Sequence, residues 1–354
     1  MNSEEFVKKL LGWYSENKRD LPWRRTRDPY KIWLSEVILQ QTRIAQGIPY
    51  YYKFLKKYPT LHDLAKATEE EALQLWQGLG YYTRGINLLI CAKTLQSDYN
   101  GSFPRTFNEL CKLKGVGRYT AAAIASICFD QKIAAVDGNV YRALSRYFGA
   151  AEDIDSSQGK KFFQQLADSL MPDSNPGEYN QAVMEFGALQ CTPRNPDCSN
   201  CPLSEGCRAY KLGMQDQLPV RSKRKKPRVR RFYYFIFKDG KRFLMKKRNH
   251  GDIWRGLWDF MLVEAAENEK LDDIQTKIQR QYNLSFEVEY ESDEYRHALT
   301  HQSILARFNI VSSFTGSPAR IIADHGLVWV NRKKAEELPK PVLISKFLNH
   351  GFFD

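Results

Sequence analysis

The sequence predicts a multi-domain protein: an all-helical N-terminal domain, a short basic linker and a smaller α/β domain. Three observations carry that expectation. Over roughly the first 215 residues, apolar side chains recur at the three- and four-residue spacing of amphipathic helices, punctuated by Gly and Pro. A run dense in Lys and Arg follows, flanked and interrupted by proline. Beyond it the pattern changes to short β-rich runs around turn residues. At 354 residues, 43% of them hydrophobic, the chain is long enough for two or three domains that each bury a core.

The elements follow in order. The segment Ile32–Gln46 reads as one helix. At 100° per residue, Trp33, Leu34, Val37, Ile38 and Ile44 share an apolar face, with Glu36, Gln40 and Arg43 in a strip beside it. Helical periodicity continues in Glu69–Trp76, Thr120–Cys128, Val140–Tyr147 and Gly159–Leu170. The run Arg221–Arg231 (RSKRKKPRVRR), with Pro219 before it and Pro227 within it, reads as a linker. Phe232–Phe237 and Arg242–Lys247 then flank Asp239-Gly240, a β-hairpin signal. Further β-rich runs are Leu284–Tyr290, Ser303–Val311 and Leu327–Val330, with helical candidates at Leu271–Tyr282 and Ile344–Asn349.

Composition narrows the function class. No run reaches the roughly 18 apolar residues of a spanning helix. The N-terminal segment has no basic region leading into an apolar core and a small-residue cleavage site. A soluble, cytoplasmic protein without membrane contact is therefore expected. The net charge is +12, and Arg221–Arg231 carries +8 of it, leaving the remainder at +4. Such a balance suits a polyanionic partner, nucleic acid first, although a charge run can also be a plain solvated linker.

Four groups of residues could carry chemistry. Cys191, Cys198, Cys201 and Cys207 fall within 17 residues, spaced Cys-x6-Cys-x2-Cys-x5-Cys. Thiolates crowded this closely can wrap a metal, and the spacing alone leaves iron–sulfur and zinc both open. The remaining Cys91, Cys111 and Cys128 read as small core residues. Leu113–Thr120 (LKGVGRYT) opens an Ala-rich helix. A Gly-x-Gly turn there could present free backbone N–H groups to a phosphate, or merely join two helices. Two carboxylates stand out. Asp137 in AVDGNV precedes a helix and could be an ordinary N-cap; Glu36 could be a solvated helix edge. Trp23, Gln40, Gln41 and the segment GLGYY (residues 78–82) supply aromatic and amide groups that could stack on bases or serve the core.

Taken together, LPWRRTRDPYKIWLSEVILQQT, GLGYYTRGINL, LKGVGRYTAAAI, AVDGNVYRALSR, YNQAVMEFGALQCTP and the cysteine tail resemble the adenine DNA glycosylases (MutY family). That family belongs to the helix-hairpin-helix, iron–sulfur superfamily that also contains endonuclease III. The resemblance runs through nearly all of residues 5–220. It implies a helix-hairpin-helix glycosylase region over residues 1–217, a linker over 218–231 and a Nudix-like 8-oxoguanine recognition domain over 232–354. It also implies a 4Fe-4S cluster on Cys191, Cys198, Cys201 and Cys207, which settles the metal in favour of iron–sulfur.

The implied activity is monofunctional hydrolysis of the glycosidic bond of adenine opposite 8-oxoguanine or guanine in double-stranded DNA, by a bacterial, monomeric base-excision enzyme. Glu36 would protonate the adenine and then help activate water, and Asp137 would stabilise the oxocarbenium-like sugar, with Tyr119 and Asn139 in support. Trp23, Arg24 and Gln181 match positions lining the adenine pocket. Gln41, Thr42, Leu79 and Tyr81 match those at the 8-oxoguanine and the wedge, and Gly115 and Gly117 would meet phosphate. Bifunctional relatives carry a lysine nucleophile where this chain has Tyr119, so efficient Schiff-base chemistry is not expected. Leu271–Tyr282 lacks the Glu-rich metal helix of a working Nudix hydrolase. The lesion-sensing loop is Leu299-Thr300-His301 instead of Phe-Ser-His: Thr300 keeps the hydroxyl, the aromatic is lost, and His301 is retained. A bifunctional lyase and a non-catalytic damage sensor are the alternatives. Tyr119 argues against the first, and the retained carboxylate pair against the second.

Overall fold

A computed structural model describes residues 3–222, 226–249, 253–316 and 318–349. The chain divides into two compact units, one built from residues up to 66 and from 87 to the basic run, the other from 67–86 and the C-terminal part. The centre of the expected linker, residues 223–225, lies outside the described residues.

The helical elements in chain order are α1 (Ser3–Asn17), α2 (Pro29–Leu39), α3 (Ile44–Lys57), α4 (Leu61–Ala65), α5 (Glu69–Trp76), α6 (Tyr82–Asp98), α7 (Phe107–Leu110), α8 (Arg118–Phe129), α9 (Gly138–Phe148), α10 (Ser157–Ser169), α11 (Pro176–Leu189) and α12 (Arg208–Leu212). Among the described residues, none is long and apolar enough to cross a membrane. α5 and the first turn of α6 group with the second unit. Helix α8 sits deepest in the first unit: Thr120 to Ile127 are all buried. Small alanines let α2 and α11 pack on either side of it. Phe6, Leu10 and Tyr14 of α1 bury with Leu144, Phe163, Tyr179 and Phe186 of α9 to α11. Gly187 brings α11 to within backbone contact of α9, since a Cβ there would lie 2.6 Å from the Asn139 carbonyl oxygen.

One expected element breaks. The helix read over Ile32–Gln46 ends at Leu39, and a new one starts at Ile44. Gln40 leaves helical geometry at ψ 113°, and Gln41 takes a left-handed φ of 57°. The strip of Glu36, Gln40 and Arg43 is therefore not one helical edge. Glu36 stays on α2, while Gln40 turns away and donates from Nε2 to the Thr120 hydroxyl at 3.2 Å. Of the three isolated cysteines, Cys91 is buried, but Cys111 and Cys128 are only half-buried.

The second unit holds a mixed sheet. Strands β1 (Arg228–Asp239) and β2 (Arg242–Lys247) form the hairpin over Asp239-Gly240, with Lys238 opposite Phe243. β1 thus begins at Arg228, inside the stretch read as linker, because Arg228–Arg231 already pair in parallel with Gln302–Leu305. The other strands are β3 (Trp258–Asp259), β4 (Met261–Ala265), β5 (Ser285–Phe286), β6 (Tyr290–Glu291), β7 (Tyr295–Ala298), β8 (Gln302–Val311), β9 (Phe314–Thr315) and β10 (Leu327–Asn331). The sheet runs β10-β2-β1-β8-β6, with β3, β4 and β7 at its margins. The run Leu284–Tyr290, expected as one strand, yields only the short β5 and the start of β6. Helix α13 (Leu271–Tyr282) buries Ile274, Ile278 and Tyr282 against Phe235, Phe237 and Leu244 of the sheet.

Candidate active site

Asp137 is the N-cap of α9, as any Asp before a helix can be. Its Oδ1 accepts from the backbone N–H groups of Asn139 and Val140, each at 2.8 Å. Its Oδ2 accepts from Asn139 Nδ2 at 2.8 Å. Asn139 is itself fixed, because its Oδ1 accepts from Arg142 at 2.9 Å. Burial raises the Asp137 pKa, while those three donors and the Arg142 charge favour the ionised form. The helix dipole acts in the same sense.

Glu36 projects from the middle of α2, where the apolar neighbours Trp33 and Val37 are buried in the core. Loss of hydration is the dominant influence on its carboxyl, and the nearby Asp137 charge adds to it. Tyr119 and Arg24 pull the other way, and the balance places Glu36 at about 7. An acid brought to about 7 by burial thus lines the same cavity as a carboxyl whose own burial-driven rise is opposed by three N–H donors.

Both groups open into one cavity of about 670 Å³. Of the residues the sequence singled out, Trp23, Arg24, Glu36, Gln41, Thr42, Gly115, Gly117, Tyr119, Asp137, Asn139 and Gln181 all line it. Trp23 sits in a 3₁₀ turn, Pro22–Arg25, edge-on to Tyr51 with ring centroids 5.3 Å apart. Gln181 lies on α11, its Oε1 accepting from the Tyr14 hydroxyl at 2.9 Å, which turns its amide NH₂ away from Tyr14. At the hairpin between α7 and α8, Gly115 has φ 79°, and a Cβ would press to 2.8 Å from that of Asn87. Gly117, the N-cap of α8, has nothing within 4 Å of where a Cβ would be, so its backbone face is open to an approaching group.

Several cavity residues escaped the sequence reading. Glu185 and Met184 stand on the same face of α11 as Gln181, at spacings of four and three. Glu185 is only 2% exposed and accepts from both Arg19 and Arg24 at 2.6–2.9 Å. Burial alone would raise its pKa, but the two guanidiniums overcome that and hold it at about 2. Met184 accepts from the Tyr119 hydroxyl at 3.0 Å. The only sequence signal for either was the helical spacing from Gln181.

The other expected residues lie elsewhere. Leu79, Tyr81, Thr300 and His301 belong to the second unit. Leu79 is buried, whereas Tyr81 is exposed with a left-handed φ of 48°. The Tyr81 hydroxyl is hydrogen-bonded to that of Thr300. Thr300 and His301 are exposed in the turn between β7 and β8.

Cys191, Cys198, Cys201 and Cys207 line a separate small cavity. Burial raises the thiols of Cys198, Cys201 and Cys207, that of Cys201 to about 12. Thiolates there therefore need a cationic partner such as iron. The surroundings suit one: backbone N–H groups of Leu203, Ala209 and Tyr210 point at the sulfurs of Cys201 and Cys207. Arg146 donates to Cys191 Sγ at 3.5 Å and to the Thr192 carbonyl at 2.7 Å. Arg142 reaches the Cys191 carbonyl at 2.7 Å. Donors around the sulfurs are the feature that tunes and holds a thiolate-bound cluster.

Known proteins resemble the chain in matching segments. Residues 34–169 match the HhH-GPD superfamily of base excision DNA repair proteins, residues 191–207 the iron-sulfur binding domain of endonuclease III, and residues 232–350 the NUDIX domain. An adenine DNA glycosylase of Buchnera aphidicola subsp. Schizaphis graminum is 31% identical over 345 residues, 95% of this chain and 96% of that protein. The mouse adenine DNA glycosylase is 47% identical over 222 residues, 60% of this chain but only 43% of its own length. Among solved structures, a thermostable thymine-DNA glycosylase superposes with a TM-score of 0.56 and 34% identity, over 59% of this chain and 97% of that one. A trapped endonuclease III–DNA covalent intermediate gives 0.52 and 26%, over 60% and 99%.

Proposed function

Because this chain belongs to the adenine DNA glycosylase family, we propose that it hydrolyses the N-glycosidic bond of adenine mispaired with 8-oxoguanine or guanine in double-stranded DNA, without cutting the strand. One observation carries the reading: two buried carboxyls line a common cavity, Glu36 raised to about 7 by loss of hydration and Asp137 backed by three N–H donors against its own burial-driven rise. The cavity of about 670 Å³ takes a flipped purine, and Trp23, Arg24 and Gln181 are its walls.

In the proposed mechanism Glu36 delivers its proton to the adenine ring nitrogen N7, so the base leaves as a neutral group. Positive charge develops on the sugar, and the Asp137 carboxylate, fixed by Asn139 and Val140, stabilises it. The ionised Glu36 then draws a proton from the attacking water. Tyr119 and Asn139 orient the two carboxyls. None of the residues lining the cavity among those described is lysine, which supports hydrolysis over lyase chemistry. Gly117 offers its backbone to a phosphate. In the second unit Thr300 and His301 are the groups proposed to read the 8-oxoguanine. The 4Fe-4S cluster of the family would be held by Cys191, Cys198, Cys201 and Cys207; bound there, it orders the loop, and no step of the hydrolysis passes through it.

The test is single-turnover adenine release from a duplex carrying adenine opposite 8-oxoguanine, read with and without alkali. Breaks that appear only after alkali are expected. Breaks without alkali would return the lyase reading, and no release from protein with an intact cluster would favour a damage sensor.

A further inference from the structure

Tyr119 has one hydroxyl proton and two neighbours that compete for it. It interacts with the Glu36 carboxyl, where a hydrogen bond from the phenol would favour the ionised form, and it lies at 3.0 Å from Met184 Sδ. A thioether has no hydrogen to give, so in the latter contact the tyrosine must donate. Its lone pairs are then what Glu36 meets. Burial and the neighbouring carboxyls hold the phenol well above its ordinary value, so the proton is present throughout the working range.

We propose that Met184 is a positioning residue: its sulfur takes the Tyr119 proton and turns the hydroxyl into an acceptor for the protonated Glu36 acid. A protonated carboxyl can donate to that oxygen. An ionised one can bond there only if the tyrosine gives up Met184 and swings its proton across. The contact therefore favours the acid form that donation to a base requires. It acts through its hydrogen bond with Tyr119. The other groups bearing on Glu36 are Arg24 from the 3₁₀ turn, Asp137 at the start of α9 and Cys128 of α8, with Arg19 and Glu185 on the same cavity wall. Of these, Asp137 also bears on the Tyr119 phenol by its charge, but only Met184 is hydrogen-bonded to the hydroxyl at a short distance.

This rests on Glu36 being the acid, and the test separates the two ideas. The pH dependence of single-turnover adenine release is measured for the full-length protein and for Glu36→Gln, Met184→Leu, Met184→Gln, Tyr119→Phe and Met184→Leu combined with Tyr119→Phe. Leu keeps the volume and removes the acceptor; Gln offers a carbonyl oxygen in its place. The alkaline limb in Met184→Leu is expected to move down by roughly half a pH unit to one unit, the size of losing one modest hydrogen bond. It should return towards the wild-type position in Met184→Gln. Tyr119→Phe should show no further movement when Met184→Leu is added. An unmoved limb in Met184→Leu overturns the proposal, as does the same movement on top of Tyr119→Phe, which would mean packing alone. If Glu36→Gln keeps the wild-type rate and limb, the assignment of Glu36 itself fails, which is a distinguishable result.

Discussion

Replacing Glu185 by Gln is expected to remove about 3 kcal/mol of stability from the helical unit. The carboxylate accepts five hydrogen bonds, from the backbone and guanidinium of Arg19 and from both terminal nitrogens of Arg24. Burial opposes its charge, yet the arginines bring its pKa from an ordinary 4.5 to about 2. At about 1.36 kcal/mol per pH unit, that gap is worth about 3 kcal/mol at neutral pH. Removing one partner of a buried ion pair costs a similar amount, roughly 3–5 kcal/mol. The folded pKa lies below the unfolded one, so the contribution is complete above about pH 5 and disappears as pH falls towards 2. By pH 3 less than about half remains. Scanning calorimetry of the full chain and of Glu185→Gln at pH 7 should separate their transitions by about 6–12 °C for a unit of this size, and the gap should narrow at pH 3. A loss below about 1 kcal/mol at pH 7, or one that is the same at both pH values, would refute the account of this triad.

The remaining expectations concern function. Single-turnover adenine release should fall as pH rises through about 7, because Glu36 loses the proton it must donate; a rate that climbs steadily to pH 9 would contradict that. Glu36→Gln should slow release by roughly 10²–10⁴-fold, the usual contribution of a general acid. Asp137→Asn should abolish release while gel-shift binding to the mismatch persists; undiminished turnover would remove Asp137 from the mechanism. Thr300→Ala is expected to lower the preference for 8-oxoguanine over guanine opposite adenine, and equal preference in variant and wild type would take Thr300 out of lesion reading.

Local signals were legible in the sequence, and contacts between distant segments were not. The hairpin at Asp239-Gly240 lies where its turn residues put it, and α13 spans the same Leu271–Tyr282 that periodicity marked. The break after Leu39 left no trace, because the left-handed residue is Gln41 rather than Gly or Asn. The two-residue strands β5 and β6 are shorter than any alternation pattern can register. At the site, Glu36, Asp137 and the residues around them assemble in one cavity, yet nothing near Glu185 in sequence announces its arginines, 161 and 166 residues away. The same holds for Met184 and Tyr119, 65 residues apart.

What distinguishes the three acids of the cavity is therefore not their side chains but what each was given as a partner. Glu36 has apolar packing, an anionic neighbour and a tyrosine, and sits at about 7. Glu185 is buried too, but two guanidiniums hold it at about 2. Asp137 is raised by burial, its charge supported by N–H donors and not by a direct ion pair. That difference matters for its proposed task. A carboxylate clamped by two arginines would have its charge neutralised before the sugar cation forms, whereas one held by N–H donors without a direct ion pair leaves its charge available when ionised. In the proposed mechanism Glu36 supplies the proton and Asp137 the anion, while the two-arginine ion pair of Glu185 secures the wall. Exchanging the environments, for instance by bringing an arginine to the Asn139 position, should weaken catalysis even though Asp137 would remain ionised.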